Sequence, residues 1–262
     1  MHEVLRVDSS YATAITRKSS SGIAKIWPSV YFYSHFIGIV IKASRLAKAG
    51  RYDGEGWTKS SFEVLQLLER IGLQIEISGL AEFTTFDGPC VIICNHMSMM
   101  ETLLLPVMVQ PLKPVTFVIK ESLLTYPVFR HVMRSRNPVA VTRTNPRRDL
   151  KTVLEEGSKR LEEGTSIIVF PQTTRTNAFD PAEMTSIGVK LSKKAEVPIV
   201  PLALRTDAWM NGKYLKDFGR INIGRKVYFA FAPALRVGGK GNEEHQRITE
   251  CIAAQLSRWN AG

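Results

Sequence analysis

The chain contains few cysteines, and their spacing is not typical of a disulfide or metal framework. Only Cys90, Cys94 and Cys251 occur among its 262 residues. Their number is odd, and no cluster of cysteines and histidines has the spacing of a zinc site. We therefore expect no structural disulfides, no bound metal ion and a reducing compartment.

The chain also lacks an apolar run of the roughly 20 residues that a spanning helix needs. Its first twenty residues are polar, so residues 1–22 predict a polar N-terminal tail rather than a cleaved signal peptide. Residues 26–41 are apolar and aromatic, and Trp27, with two nearby tyrosines, is typical of a bilayer interface. We interpret residues 23–72 as a helical membrane-associating segment whose first helix lies in the membrane surface. The alternative is a helix packed on the main domain.

Acidic side chains are fewer than basic ones, at 24 against 35, and the formal net charge is +11. Such a charge favours anionic partners, such as anionic lipid, phosphorylated metabolites, an acidic protein or nucleic acid. The basic residues are spread along the chain, and no aromatic-interleaved basic stretch or nucleic-acid motif is present. We therefore expect no nucleic-acid partner. The alternative explanation of the charge is a generic solubilising surface.

Strand and helix patterns alternate after a glycine-rich break at residues 50–56. Amphipathic spacing predicts a helix over residues 60–71, and a Pro after a capping Asn145 predicts a second helix that stops at Gly164. A closing helix is predicted over residues 242–260. Short apolar runs predict strands over residues 73–77, 91–94, 115–119, 139–141, 166–170 and 199–204. This order predicts an α/β fold with a largely parallel central sheet covered by helices, preceded by an N-terminal helical pair. We assign residues 73–262 to that α/β domain.

A histidine and a carboxylate lie five positions apart directly after the buried-strand pattern Val91–Cys94. Open α/β sheets usually bind ligands at the carboxyl ends of their strands. Within the heptad Asn95–Glu101, His96 is therefore a candidate base for a hydroxyl, and Glu101 is a candidate to fix the tautomer of its ring. The structural alternative is a histidine that caps the next helix, with a first-turn glutamate favoured by the helix dipole. A second polar string, Phe170–Thr176, follows another apolar run and suggests one shared site.

In these two strings and two further blocks, the chain resembles the glycerolipid acyltransferases, the family of 1-acylglycerol-3-phosphate acyltransferase. The resemblance runs from about residue 75 to residue 233 and rests on four ordered blocks. The first resembles the family's Asn-His-x-Ser-x-x-Asp pattern, the second joins a Lys-Glu pair to a strand-end arginine, and the third resembles Phe-Pro-Glu-Gly-Thr-Arg-Ser. The fourth is an apolar strand with two prolines. In this chain the blocks are Asn95–Glu101, Lys120 to Arg143, Phe170–Thr176 and Val197–Leu204.

The resemblance implies a role for each block. It implies that His96 is the general base, that Glu101 orients it, and that the acyl donor is a thioester of coenzyme A or of acyl carrier protein. It implies a lysolipid acceptor, a membrane surface and no other cofactor, and we expect a peripheral or monotopic protein on the cytoplasmic face of the inner membrane. The substrate-binding residues that it implies are Arg143, Gln172, Thr173, Thr174, Arg175 and Lys120.

Three residues depart from the family pattern. Glu101 stands where the family has Asp, Gln172 where it has Glu, and Thr173 where it has Gly. The first change moves the carboxylate by one methylene, and the other two alter the block expected to hold the head group. Two alternatives follow: an acceptor other than lysophosphatidic acid, such as a different lysolipid or an amino-acid lipid, or a lipid-binding relative without catalysis.

Overall fold

The computed structural model describes residues 10–14, 24, 26–172, 174–213 and 215–261. Most of the predicted polar tail, residues 1–22, lies outside these ranges. So does Thr173, one of the predicted head-group residues.

Eight strands of the described residues form one mixed sheet in the order β1-β2-β8-β7-β3-β6-β4-β5. The strands are β1 (Tyr11–Ala12), β2 (Ile75–Ser78), β3 (Val91–Cys94), β4 (Val115–Lys120), β5 (Val139–Val141), β6 (Ser166–Val169), β7 (Ile199–Arg205) and β8 (Val227–Phe231). Five of the pairings are parallel, and only β1 with β2 and β7 with β8 run antiparallel. The predicted α/β fold with a largely parallel sheet is confirmed.

Seven α-helices of the described residues surround the sheet. They are α1 (Pro28–Lys48), α2 (Gly54–Arg70), α3 (Met100–Val109), α4 (Phe129–Ser135), α5 (Pro146–Glu162), α6 (Ile187–Ala195) and α7 (Asn242–Ala261). The start of α5 follows its sequence signal, because the Asn145 side chain accepts a hydrogen bond from the Arg148 amide at 3.1 Å. The helix stops before Gly164, whose φ is +82°.

The N-terminal helical pair, α1 and α2, packs together and shares its core with one face of the sheet. Phe32 and Phe36 of α1 are buried there, in contact with Trp209 from the loop after β7. The pair therefore lies against the sheet and borders the site at its edge. Within the described ranges, no helix combines the length and apolar character needed to cross a bilayer.

Several elements begin or end away from their predicted positions. Helix α2 begins at Gly54 rather than residue 60, because the Asp53 side chain caps it by accepting a hydrogen bond from the Gly56 amide at 2.8 Å. Helices α4 and α6 and strands β1 and β8 were not predicted individually. Strand β2 spans Ile75–Ser78 rather than residues 73–77. It ends before Gly79, which has φ +78° and where a Cβ would lie 2.0 Å from the Phe231 carbonyl oxygen.

Candidate active site

The polar strings meet at one edge of the sheet, where the parallel strands end. His96 follows β3, Lys120 ends β4, and Arg143 and Arg175 follow β5 and β6. Because β3, β4, β5 and β6 run parallel, their carboxyl ends share this edge. His96, Lys120, Arg143, Thr174 and Arg175 all line one cavity of about 780 Å³. The sequence prediction of one shared location for these five residues therefore agrees with the structure.

His96 and Glu101 form a buried hydrogen-bonded pair, with 2.9 Å between His96 Nδ1 and Glu101 Oε1. The Glu101 side chain is fully buried, and the same oxygen accepts hydrogen bonds from the amides of Met97 at 2.7 Å and Ser98 at 2.9 Å. An ionised carboxylate can only accept hydrogen bonds, so Glu101 favours the ring tautomer in which Nδ1 carries the proton. The Nε2 lone pair of His96 is then available to accept a proton.

Glu101 is held as a carboxylate by the donors around it. Burial alone raises the pKa of the Glu101 carboxyl, but hydrogen bonding and charge from His96, with hydrogen bonds from Thr206 and Ser98, outweigh burial and place this pKa below its ordinary value. A charged Glu101 stabilises the imidazolium that forms when His96 accepts a proton. The extra methylene relative to aspartate leaves the contact with His96 intact, at the start of α3.

The second oxygen of Glu101 is bound by a residue directly after β7 that the sequence did not indicate. Thr206 Oγ1 donates to Glu101 Oε2 at 2.6 Å, and Ser98 Oγ lies 2.9 Å from both of these atoms. Ser98 Oγ also accepts the amide of Met100, the first residue of α3, at 3.1 Å. Thr206 follows β7 at the carboxyl edge of the sheet, and that position is the signal that could have identified it.

The loop after β6 holds the backbone and the ring of His96. Gln172 Oε1 accepts the His96 amide at 2.7 Å, and the Thr176 amide donates to the His96 carbonyl at 3.0 Å. The ring of Phe170 stacks on that of His96, with 4.2 Å between the centroids. Gln172 was predicted to bind substrate, but it faces a separate polar crevice of about 320 Å³ rather than the main cavity. Its contacts point to positioning of His96.

Arg143 and Arg175 concentrate positive charge beside His96. Partial desolvation and the neighbouring Arg175 charge lower the pKa of the Arg143 guanidinium. Asp149 fixes the Arg143 backbone, which has φ +61°, by accepting its amide at 2.7 Å. Arg175 pairs with Asp217, with 2.6 Å between Nη1 and Oδ1. Two neighbouring guanidinium groups in a partly dry cavity are suited to a phosphate.

The remaining wall of the cavity is apolar. It is formed by side chains of α1, α2, β4 and α4, among them Phe36, Val40, Trp57, Val64, Phe117, Ile119, Val132 and Met133. One end of the cavity therefore suits an anion and the other a hydrocarbon chain. Within the described ranges, no group of three or more His, Cys, Asp or Glu side chains is placed to hold a metal ion.

Comparisons with known proteins agree with this architecture. A family model described as Acyltransferase matches residues 74–205. The 1-acyl-sn-glycerol-3-phosphate acyltransferase of Pseudomonas aeruginosa is 26% identical over 207 residues, covering 79% of this chain and 76% of that protein. The enzyme of that name from Cocos nucifera is 26% identical over 134 residues, covering 51% of this chain and 42% of that protein.

A solved structure has the same fold. The crystal structure of the 1-acyl-sn-glycerophosphate (LPA) acyltransferase PlsC from Thermotoga maritima aligns with a TM-score of 0.64 and 22% sequence identity. The alignment covers 89% of this chain and 95% of that one.

Proposed function

The chain belongs to the acyltransferase family, and we propose that it transfers a fatty acyl group from a thioester to the hydroxyl of a lysophospholipid such as 1-acylglycerol-3-phosphate. The observation that carries the proposal is that His96, hydrogen-bonded to the buried Glu101, lines a cavity that is cationic at one end and apolar at the other. The two ends match the phosphate and the acyl chain of such substrates. The names of the relatives support the same acceptor.

The proposed reaction uses His96 first as a base and then as an acid. His96 Nε2 accepts the proton of the acceptor hydroxyl while the hydroxyl oxygen attacks the carbonyl carbon of the thioester. The carbon–sulfur bond then breaks, and the imidazolium returns the proton to the departing thiolate. Glu101 keeps Nδ1 protonated and stabilises the imidazolium, while Arg143 and Arg175 hold the phosphate of the acceptor.

The donor is proposed to be acyl-CoA or acyl-acyl carrier protein, because both carriers are acidic and the chain has a formal net charge of +11. Purified protein should be given each donor with lysophosphatidic acid, lysophosphatidylglycerol and lysophosphatidylethanolamine, and the products followed by mass spectrometry. Formation of a diacyl product from any pair supports the proposal. Failure with every pair would contradict it and would favour a lipid-binding protein without catalysis.

We propose that the outer face of α1 docks on the membrane surface. Trp27, Val30, Ile37 and Ile41 lie along this face and are 65%, 60%, 49% and 37% exposed, whereas the opposite face is buried. The basic residues Lys42, Arg45 and Lys48 follow the apolar stripe. An amphipathic helix with such a basic end suits the anionic cytoplasmic face of the inner membrane.

Vesicle sedimentation tests this docking. The double substitution Ile37→Glu and Ile41→Glu should abolish binding to anionic vesicles, because it places two charges in the apolar stripe. The double substitution Ala254→Glu and Ser257→Glu, at two exposed positions of α7, adds the same charge and should bind like the unaltered protein. Equal binding by all three proteins would contradict the proposed docking face.

A further inference from the structure

The counter-ion of Arg175 comes from the loop between β7 and β8, outside the four sequence blocks. Asp217 Oδ1 lies 2.6 Å from Arg175 Nη1, and the two side chains are each 21% exposed. Both residues line the main cavity together with His96 and Arg143. Asp217 therefore places a negative charge on the group proposed to bind the acceptor phosphate.

The fold fixes the position of Asp217. Its backbone carbonyl accepts a hydrogen bond from Trp209 Nε1 at 3.1 Å, and Trp209 is buried against Phe32 and Phe36 of α1. Two residues further on, the Gly219 carbonyl accepts the Tyr33 hydroxyl at 2.5 Å. The loop is thus attached to α1 through Trp209 and Gly219, so contacts other than the ion pair with Arg175 hold Asp217 beside the cavity.

A carboxylate at this place distinguishes head groups by their charge. A phosphomonoester approaches Arg175 as a dianion and is repelled by Asp217, whereas an ammonium group attached to the phosphate can pair with it. Arg143, Lys120 and Lys216 line the same cavity and attract every phosphate alike. Among the lining residues that the structure describes, Asp217 is the one acidic side chain, so discrimination between phosphate head groups is concentrated there.

We propose that Asp217 is a specificity-determining residue of the acceptor site: it weakens binding of dianionic phosphomonoesters and strengthens binding of head groups in which an ammonium accompanies the phosphate. Relative to a neutral side chain at this position, the carboxylate shifts the acceptor preference away from phosphomonoesters and toward zwitterionic lysophospholipids. The inference rests on the proposed function, because it assigns the head group to Arg143 and Arg175.

Binding of head-group fragments tests the inference without requiring turnover. Titration calorimetry should compare glycerol 3-phosphate with glycerophosphoethanolamine, using the unaltered protein, Asp217→Asn, Asp217→Glu and the control Asp87→Asn. Asp87 is an exposed acid in the loop before β3. The Asp217→Asn substitution keeps the backbone contact to Trp209, so the loop should retain its position.

The expected result is a change of opposite sign for the two fragments. In Asp217→Asn the affinity for glycerol 3-phosphate should rise about threefold or more, and that for glycerophosphoethanolamine should fall by a similar factor. Asp217→Glu and Asp87→Asn should keep the original ratio. An unchanged ratio in Asp217→Asn would overturn the inference. Absence of acyl transfer with every lysolipid would instead contradict the proposed function, and the calorimetric ratio would still decide the role of Asp217.

Discussion

Thr206 donates a hydrogen bond to Glu101 across 105 positions of the chain, with 2.6 Å between the two oxygens. It is fully buried at the end of β7, whereas Glu101 lies in the first turn of α3. The carboxylate that orients His96 is therefore itself held by a neighbouring strand. This contact joins the first sequence block to a residue that directly follows β7, two positions beyond the fourth block.

Loss of this contact should lower the turnover number and leave substrate binding unchanged. Thr206→Val keeps the shape of the side chain but removes the donor, and a hydrogen bond to a charged group is worth about 1.5–3 kcal/mol. We expect kcat to fall about tenfold or more, with little change in KM for the acceptor. Thr206→Ser retains the hydroxyl and should recover most of the activity. Steady-state measurements of kcat and KM on both variants provide the test. An unchanged kcat in Thr206→Val would contradict the inference that Thr206 positions Glu101.

The lowered pKa of Glu101 predicts how stability depends on pH. Because the folded-state pKa lies below the ordinary value of about 4.3, the ionised carboxylate stabilises the fold above that pH, and this contribution is lost as pH falls through the folded value. The free energy of unfolding should therefore decline more steeply below about pH 4.3 in the unaltered protein than in Glu101→Gln. Urea unfolding at pH 7 and at successively lower pH provides the test. If the free energy of unfolding depends on pH in the same way in both proteins, ionisation of Glu101 does not cause the decline.

Replacement of Glu101 by the family's aspartate should impair this chain. The shorter side chain cannot keep both the His96 contact at 2.9 Å and the Thr206 contact at 2.6 Å without movement of α3. We expect kcat to fall about tenfold, since a displacement of about 1 Å in a catalytic group is costly. Kinetic assays of Glu101→Asp decide this. Full activity of Glu101→Asp would mean that the start of α3 shifts to accommodate the shorter acidic side chain.

Gln172 and Arg175 should differ in which kinetic constant they affect. Gln172→Leu removes the acceptor of the His96 amide, so kcat should fall while KM for the lysolipid changes by less than about twofold. Arg175→Lys removes the planar fork that matches a phosphate, so KM for the lysolipid should rise about tenfold. Initial-rate measurements over a range of acceptor concentration separate the two effects. A raised KM for the lysolipid in Gln172→Leu would indicate that Gln172 contacts the head group of the acceptor.

Local sequence patterns predicted six of the eight strands of the described residues and missed β1 and β8. Strand β3 was predicted with its observed bounds, because all four of its residues are apolar and buried. Strand β8 was missed although Val227, Phe229 and Phe231 alternate with less buried residues. Strand β1 has only two residues, and its pairing with β2 is not encoded within any local window.

Residues of the candidate site were predicted from the sequence where they lie close together in the chain, and missed where only the fold brings them together. His96 and Glu101 were predicted as a pair because five positions separate them and one buried strand precedes them. Thr206 and Asp217 reach the site from beyond β7, through strand order and loop packing that no local spacing encodes. Gln172 was placed in the right block, but whether its side chain faces the cavity or the His96 backbone depends on the path of the loop.

A single-turnover acyl-transfer assay tests the central claim most directly. Purified protein with an acyl thioester and a lysophospholipid should form the diacyl product, and His96→Ala should slow this step by about a hundred- to ten-thousand-fold. His245→Ala, a histidine in the first turn of α7, is the matched control and should keep the full rate. Equal rates in His96→Ala and the control would contradict the assignment of His96 as the general base.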